Sequence, residues 1–150
     1  MVDVDPMEML INDARALLGL SLDEVRRVLG TAATIVSGDE YQGMEDVVSV
    51  ENREVFPGTV YLKEGNVELV YIAFRGLSSF GEADLRTRFG DNPVRLRSRA
   101  GKRANLWVFA EQGVACSSRA GELDFLEVFI PCTQREYEER IYRDPGPFIR

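Results

Sequence analysis

Apolar residues recur at helical spacing near the start of the chain. The segment PMEMLINDARALLGL, residues 6–20, predicts a helix whose apolar face contains Met9, Leu10, Ala14, Leu17 and Leu18. The next segment, SLDEVRRVLG, begins with a capping box between Ser21 and Glu24 and ends at Gly30. A helical hairpin is therefore expected at the start of the fold.

The pattern of the second segment returns in GEADLRTRFG, residues 81–90. Leu85 and Phe89 take the places of Val25 and Leu29, and Gly90 takes the place of Gly30. The spacing of Ser79 and Glu82 predicts a capping box at its start. A last helix is expected over residues 133–143, because Thr133 and Glu136 have the same capping spacing and the sequence DPGPF follows.

Alternating apolar and polar residues predict strands after both of these matching helices. We expect strands near residues 53–56, 59–64 and 67–74, and again near 93–99, 104–110, 113–119 and 123–130. Aligning Gly65 with Gly121 superposes VELVYIAF on LDFLEVFI, with apolar residues matched at most positions. The pattern leaves the segment between Ala33 and Val50 undefined.

These elements predict an α+β fold in one domain. Two tandem repeats, residues 7–76 and 77–131, each contain a helix and antiparallel strands. Together they are expected to form one continuous antiparallel sheet with helices on one face, followed by the C-terminal helix. A chain of 150 residues has room for one core rather than two.

The stretch GLSLDEVRRVLGT resembles a helix of the SmpA/OmlA outer-membrane assembly lipoproteins and of the β-lactamase inhibitor protein family. This resemblance implies a fold that repeats a helical hairpin and antiparallel strands. In the inhibitor family two such copies are present, so the resemblance extends over residues 7–130 here.

Charge is distributed unevenly along a chain whose net charge is −7. Residues 1–76 contain 14 acidic and 6 basic residues, whereas residues 77–150 contain 11 and 12. The acidic half disfavours nucleic acid and anionic membranes and would attract a basic protein. The alternative is that the acidity only maintains solubility. The acidic N-terminus lacks a secretion signal, so a cytoplasmic location is expected.

Few residues in this chain suggest catalysis. There is no histidine, and two cysteines, Cys116 and Cys132, are too few for a metal site of their own. We expect free thiols, with a disulfide as the alternative. The adjacent acids Asp39 and Glu40 are the best acid/base pair, but such turn residues are usually solvated. We therefore expect no enzyme activity, no metal and no cofactor.

Strand alternation separates two rows of side chains. A core row is predicted beneath the helices at Val70, Ile72, Phe74, Leu126, Val128 and Ile130. The opposite row, Val67, Leu69, Tyr71, Leu123, Phe125, Glu127 and Phe129, is unusually apolar for a solvated face. It predicts an open, aromatic-rich face. Tyr61, Lys63, Trp107 and Phe109 are placed on the same face.

Arg95, Arg97 and Arg99 alternate along one strand, so their guanidinium groups are expected on one side. Exposed tyrosine, tryptophan and arginine are typical of protein-binding surfaces. The candidate partner-binding residues are Asp39, Glu40, Tyr41, Tyr61, Tyr71, Arg97, Arg99, Trp107, Phe109 and Glu127. Two alternatives stay open: the aromatic residues complete a core or a homodimer interface, and the arginines protect a sheet edge.

The function favoured by these patterns is a non-catalytic inhibitor, a cytoplasmic bacterial immunity protein that neutralises a cognate toxin. The partner would be another protein, either a basic toxin or a secreted effector. One alternative is a secretion chaperone or adaptor, which would bind an extended segment of an effector. Another is a small-molecule-binding domain, which would contain a closed apolar pocket.

Overall fold

The computed structural model describes residues 6–29, 33–36, 46–50, 58–73, 81–90, 92–98 and 100–142. The first half contains α1 (Pro6–Leu17), α2 (Leu22–Leu29), β1 (Ala33–Val36), β2 (Asp46–Val50), β3 (Gly58–Lys63) and β4 (Asn66–Ala73). The second half contains α3 (Glu82–Phe89), β5 (Val94–Arg97), β6 (Asn105–Phe109), β7 (Val114–Arg119), β8 (Glu122–Phe129) and α4 (Gln134–Arg140). The predicted α+β class is confirmed. The strand expected at 53–56 lies outside the described residues.

All eight strands form one antiparallel sheet in the order β1-β2-β3-β4-β8-β7-β6-β5. The last strands of the two halves, β4 and β8, pair at its centre, and β1 and β5 form its edges. At the centre Tyr71 lies opposite Glu127, flanked by the pairs Val70–Val128 and Ile72–Leu126. Strands β1 and β2 occupy the segment that the sequence pattern left undefined, because short strands carry a weak periodic signal.

The β3–β4 and β7–β8 hairpins have matching irregularities. Their two-residue turns, Glu64-Gly65 and Ala120-Gly121, have positive φ angles of 54° and 83°, and of 53° and 84°. Positive φ at both central residues gives the turn twist that suits a tight hairpin. A register shift follows Tyr61 in one hairpin and Ser117 in the other, and two residue pairs separate each shift from its turn.

The residues that precede α2 and α3 also have equivalent positions. Ser21 forms an isolated bridge with Asn66, the first residue of β4, and Gly81 forms one with Glu122, the first residue of β8. The Ser21 N–H donates to Glu24 Oε1 over 3.1 Å, and the Gly81 N–H donates to Asp84 Oδ2 over 2.8 Å. An acidic third residue therefore caps α3 through the Gly81 backbone, and Ser79, expected in a capping box with Glu82, lies outside the described residues.

One hydrophobic cluster joins α1, α2 and α3 to the sheet. Its members include Met7, Ile11 and Ala14 of α1, Val25 of α2 and Leu85 of α3. The predicted apolar face of the first helix needs correction, because Met9 is 50% exposed. No helix in the described ranges is long and apolar enough to cross a membrane.

A second hydrophobic cluster covers the other face of the sheet, because neighbouring strand residues alternate between faces. Its members include Leu69, Phe125 and Phe129 of the sheet together with Tyr137 of α4 and Ile141 just after it. The predicted open aromatic face is therefore wrong: α4 packs on it. Ile130, expected in the core, is 47% exposed because it follows the end of β8.

Candidate functional site

Strand β5 is an exposed edge of the sheet. Among the described residues it pairs with β6 alone, from Val94–Val108 to Arg97–Asn105, and ends the strand order. Val94 is 41% exposed, and Arg95 and Arg97 are exposed as well. Only Leu96 turns inward, where it packs against the second hydrophobic cluster. One apolar contact therefore anchors a strand whose other side chains face solvent.

A cavity of about 470 Å³ lies beside this edge. The residues that line it come from β5, from the loop before β6, from the start of β6, and from α4 and the segment just after it. They include Arg95, Arg97, Ser98, Lys102, Asn105, Glu138 and Tyr142, and we name this cavity the basic groove. Its volume is in the range of sites that hold small ligands or short segments of a partner.

Ser98 provides a buried polar group in the wall of the groove. Its hydroxyl is hydrogen-bonded to the hydroxyl of Ser117 and accepts from the Ala100 N–H over 3.1 Å. Ser117 in turn donates to Asp124 Oδ2 over 3.4 Å, and Arg119 pairs with the same carboxylate over 3.1 Å. Because Ser98 and Ser117 are buried, this chain of bonds fixes the end of β5 against β7.

Tyr142 lines the groove from the α4 side. Its hydroxyl donates to the backbone carbonyl of Arg97 over 2.9 Å, and its ring stacks on Tyr137 with 6.3 Å between the centroids. A donor from outside the sheet therefore already reaches a β5 carbonyl group. The stack connects the groove to α4 and to the core beneath it.

The groove lies in the most basic segment of an acidic protein. Residues 92–110 contain four arginines and one lysine and no acidic residue, although the net charge of the chain is −7. Within the described part of the chain, Arg95 and Lys102 form no ion pair. Averaging charge over each half of the sequence concealed this feature. A shorter window would have revealed it.

Three of the expected partner-binding residues are buried. Tyr61 is 3%, Phe109 7% and Glu127 2% exposed, so their expected exposure is wrong. Tyr61 lies in the second hydrophobic cluster, and the Tyr137 hydroxyl donates to Glu127 Oε1 beneath α4. Phe109 packs against Phe89 of α3, with 5.7 Å between the ring centroids.

Trp107 and Tyr71 are half-buried and lie on opposite faces. Trp107 packs against the first hydrophobic cluster, where the Arg86 guanidinium lies 4.4 Å from its ring centroid. Its indole N–H donates to Ser118 Oγ over 3.0 Å. Tyr71 packs on Phe125 on the α4 side, with 5.2 Å between the centroids. The expected single face containing both residues is therefore wrong.

The remaining expected residues fall into two groups. Arg97 lies in the basic groove. Asp39, Glu40, Tyr41 and Arg99 lie outside the described residues, as does the acid/base pair considered above. The structure therefore brings together Arg97 with Arg95, Lys102 and Tyr142, a set that sequence periodicity alone did not assemble.

Both cysteines are free thiols, as expected. Cys116 is buried and Cys132 is half-buried. Burial raises the pKa of the Cys132 thiol, and the neighbouring Glu136 carboxylate raises it further. This environment favours the unreactive thiol over the thiolate. In the described ranges, no three His, Cys, Asp or Glu side chains are grouped in a way that could hold a metal ion.

Comparison of the chain with protein-family models, with curated proteins and with solved structures gave no match.

Proposed function

We propose that this chain is a non-catalytic, cytoplasmic protein-binding inhibitor, and most specifically an immunity protein that neutralises a cognate toxin. The observation that carries the proposal is the exposed β5 edge beside the basic groove. An open strand offers backbone donors and acceptors, and the arginines beside it offer charge-assisted hydrogen bonds. Both features suit a protein partner.

The binding surface in this proposal differs from the aromatic face expected from sequence. Val94 provides apolar contact, whereas Arg95, Arg97 and Tyr142 provide polar contact at the rim. Arginine and tyrosine are enriched among residues that dominate binding energy. The acidic first half of the chain would still attract a basic partner over long range, while β5 makes local contact.

We also propose that the two halves of the chain are tandem repeats, in the arrangement implied by the resemblance to the β-lactamase inhibitor protein family. The matched hairpin turns, register shifts and isolated bridges support this proposal. Each of these features depends on a specific backbone conformation. We therefore do not expect all of them to arise in both halves by chance. In a duplicated fold, β5 of the second half would correspond to β1 of the first half, the strand at the other edge of the sheet.

The experiment that tests the inhibitor proposal uses neighbouring gene products. Each is expressed in a bacterial host with and without this chain, and growth and direct binding are measured. We expect one product to be toxic alone, and to be bound and neutralised by this chain. Charge reversal by Arg95→Glu and Arg97→Glu should abolish protection, while Arg27→Glu, on the exposed side of α2, should not. If no neighbouring product binds or is neutralised, the proposal fails.

A secretion chaperone or adaptor is the second candidate, and the open β5 edge specifically favours it. An edge strand pairs with extended chain, which is the form in which an effector segment would be held. Limited proteolysis distinguishes the two functions. A chaperone would protect an extended segment of its partner, whereas an inhibitor would protect the surroundings of a folded active site.

A further inference from the structure

We propose that a second cavity, of about 260 Å³ and at one end of the sheet, binds a small neutral aromatic compound that carries a carboxamide group. This inference goes beyond the proposed inhibitor function and does not depend on it. The cavity is also separate from the basic groove, because the two have no lining residue in common.

The cavity lies where β5 begins and β6 ends, between the end of α3 and the start of α4. Phe89 and Phe109 line it from the α3 side of the sheet. Val94 and Val108 are a cross-strand pair and line it from the α4 side. Residues from both faces contribute because the sheet ends at this point.

This apolar part of the lining suits an aromatic ring. Val94 is 41% exposed, so a ligand in the cavity would remove apolar surface from water. A dry apolar cavity of about 150 Å³ is large enough to hold benzene. The larger volume of about 260 Å³ therefore leaves room for a ring with a polar substituent.

Carboxamide side chains form the polar part of the lining. Asn92 and Gln112 are exposed at the rim, and Gln134 lies at the start of α4. In the described part of the chain, the Gln134 Nε2 group is buried and has no hydrogen-bond partner. The last side-chain bond of a glutamine rotates over a broad range, so this amide can turn its donor to an acceptor on a ligand.

The same lining favours a neutral ligand. Among the described residues that line the cavity, Glu111 alone is charged, and its carboxylate disfavours an anion. The Gln134 amino group nevertheless needs an acceptor. A carboxamide on the ligand supplies that acceptor without a negative charge, and its own amino group can donate to the amides at the rim.

Contacts within the protein already hold the wall of the cavity in place. Arg15 of α1 does not line the cavity, but its guanidinium group donates to the Gln112 carbonyl over 2.9 Å. The same group lies 5.9 Å from the centroid of the Phe89 ring, which packs on Phe109 over 5.7 Å. A preformed wall lowers the cost of ordering side chains when a ligand binds.

The test is an NMR titration of the full, ¹⁵N-labelled chain with benzamide. Three matched probes separate the features of the ligand. Benzoate replaces the amide by a negative charge, fluorobenzene has the ring alone, and acetamide has the amide alone. We expect benzamide to bind with a Kd on the order of 1 mM, and each other probe to bind at least about fivefold more weakly. The largest shifts should fall on the backbone amides of the lining residues.

Two variants locate the site. Gln134→Leu removes the donor and should weaken benzamide binding about threefold to tenfold. Its control is Arg135→Leu, since the neighbouring Arg135 side chain is 87% exposed and does not line the cavity. Val94→Trp should obstruct the cavity and weaken binding at least about fivefold, whereas Val28→Trp, at a 63% exposed position of α2, should not. Circular dichroism checks that each variant is folded.

Four results would overturn the inference. These are the absence of saturable benzamide binding up to about 20 mM, equal binding of benzoate or fluorobenzene, shifts centred on another part of the chain, and unchanged affinity in Gln134→Leu. Neutralisation of a toxin without benzamide binding would refute the cavity site alone. Benzamide binding without neutralisation would refute the inhibitor function alone.

Discussion

The hydroxyl of Tyr137 donates a hydrogen bond to Glu127 Oε1, and neither residue is more than 2% exposed. This bond joins α4 to the centre of the sheet, where Glu127 lies opposite Tyr71. The Tyr137 ring also packs on Phe129, with 5.1 Å between the centroids. The buried hydrogen bond therefore fixes the position of α4 on the sheet, while the aromatic contact buries apolar surface.

Removing that hydroxyl should destabilise the protein. In Tyr137→Phe the buried Glu127 carboxyl group loses a donor, and removing one partner of a buried hydrogen bond costs about 1–3 kcal/mol. The free energy of unfolding, measured by urea titration, should fall by that amount. The matched control is Tyr142→Phe, which removes a more exposed hydroxyl from the Arg97 carbonyl and should cost about 0.5–1 kcal/mol. Equal losses in both variants would contradict this account of α4 docking.

The sequence predicted the local elements better than their arrangement. Capping residues at Ser21 and Thr133 fix helix starts through contacts only three residues apart, so they can be read from short motifs. The hairpin at Gly121 was found for the same reason. In contrast, the pairing of Tyr71 with Glu127 spans 56 residues, and no local pattern encodes it.

The candidate site was harder to predict, because sheet periodicity assigns a side chain to a face of the sheet but does not show whether another element buries that face. Glu127 and Tyr61 were expected at the surface because they belong to the row opposite the first core. The α4 helix covers that row, and its position depends on long-range packing. Lys102 and Tyr142 join Arg95 only through the turn of the chain after β5 and the end of α4.

Acid should weaken the N-terminal cap of α4. Hydrogen bonds with the backbone N–H and the side chain of Thr133 hold the pKa of Glu136 below its ordinary value. A carboxylate with a lowered pKa in the folded state stabilises the protein above its unfolded pKa, and this contribution is lost as pH falls through the folded pKa. Glu136→Ala should therefore lower the urea midpoint near neutral pH.

The difference between wild type and Glu136→Ala should shrink as pH falls from about 7 to about 3. Glu24→Ala should behave in the same way, because hydrogen bonds from Ser21 lower the Glu24 pKa. Glu139→Ala is the control, since Glu139 forms an exposed ion pair with Arg135 over 3.0 Å. If Glu136→Ala lowers the stability by the same amount at every pH, the Glu136 carboxylate does not stabilise the cap.

Trp107→Ala should lower stability rather than act as a selective binding variant. The substitution removes the ring that Arg86 covers and the N–H that Ser118 accepts, and it opens a void beside the first hydrophobic cluster. Such truncations typically lower the free energy of unfolding by about 2 kcal/mol or more. Thermal unfolding measured by circular dichroism provides the test. Trp107→Phe keeps a ring and should cost less, and an unchanged midpoint in Trp107→Ala would refute the observed packing.

Gly113 should be far less tolerant of substitution than Gly121, although both have positive φ angles, 71° and 84°. A Cβ atom at Gly113 would overlap the carbonyl oxygen of Phe129, and the side chain of Pro131 lies close by, whereas nothing lies within 4 Å of one at Gly121. The Gly113 carbonyl also accepts from the Phe129 N–H over 2.9 Å, so the backbone cannot move aside without breaking that bond.

Gly121→Ala therefore introduces mainly backbone strain, about 1 kcal/mol. Gly113→Ala adds a clash with the backbone of β8 and should cost at least about 2 kcal/mol more. Urea unfolding of both variants measures the difference, and similar midpoints would show that β8 can shift relative to the loop before β7.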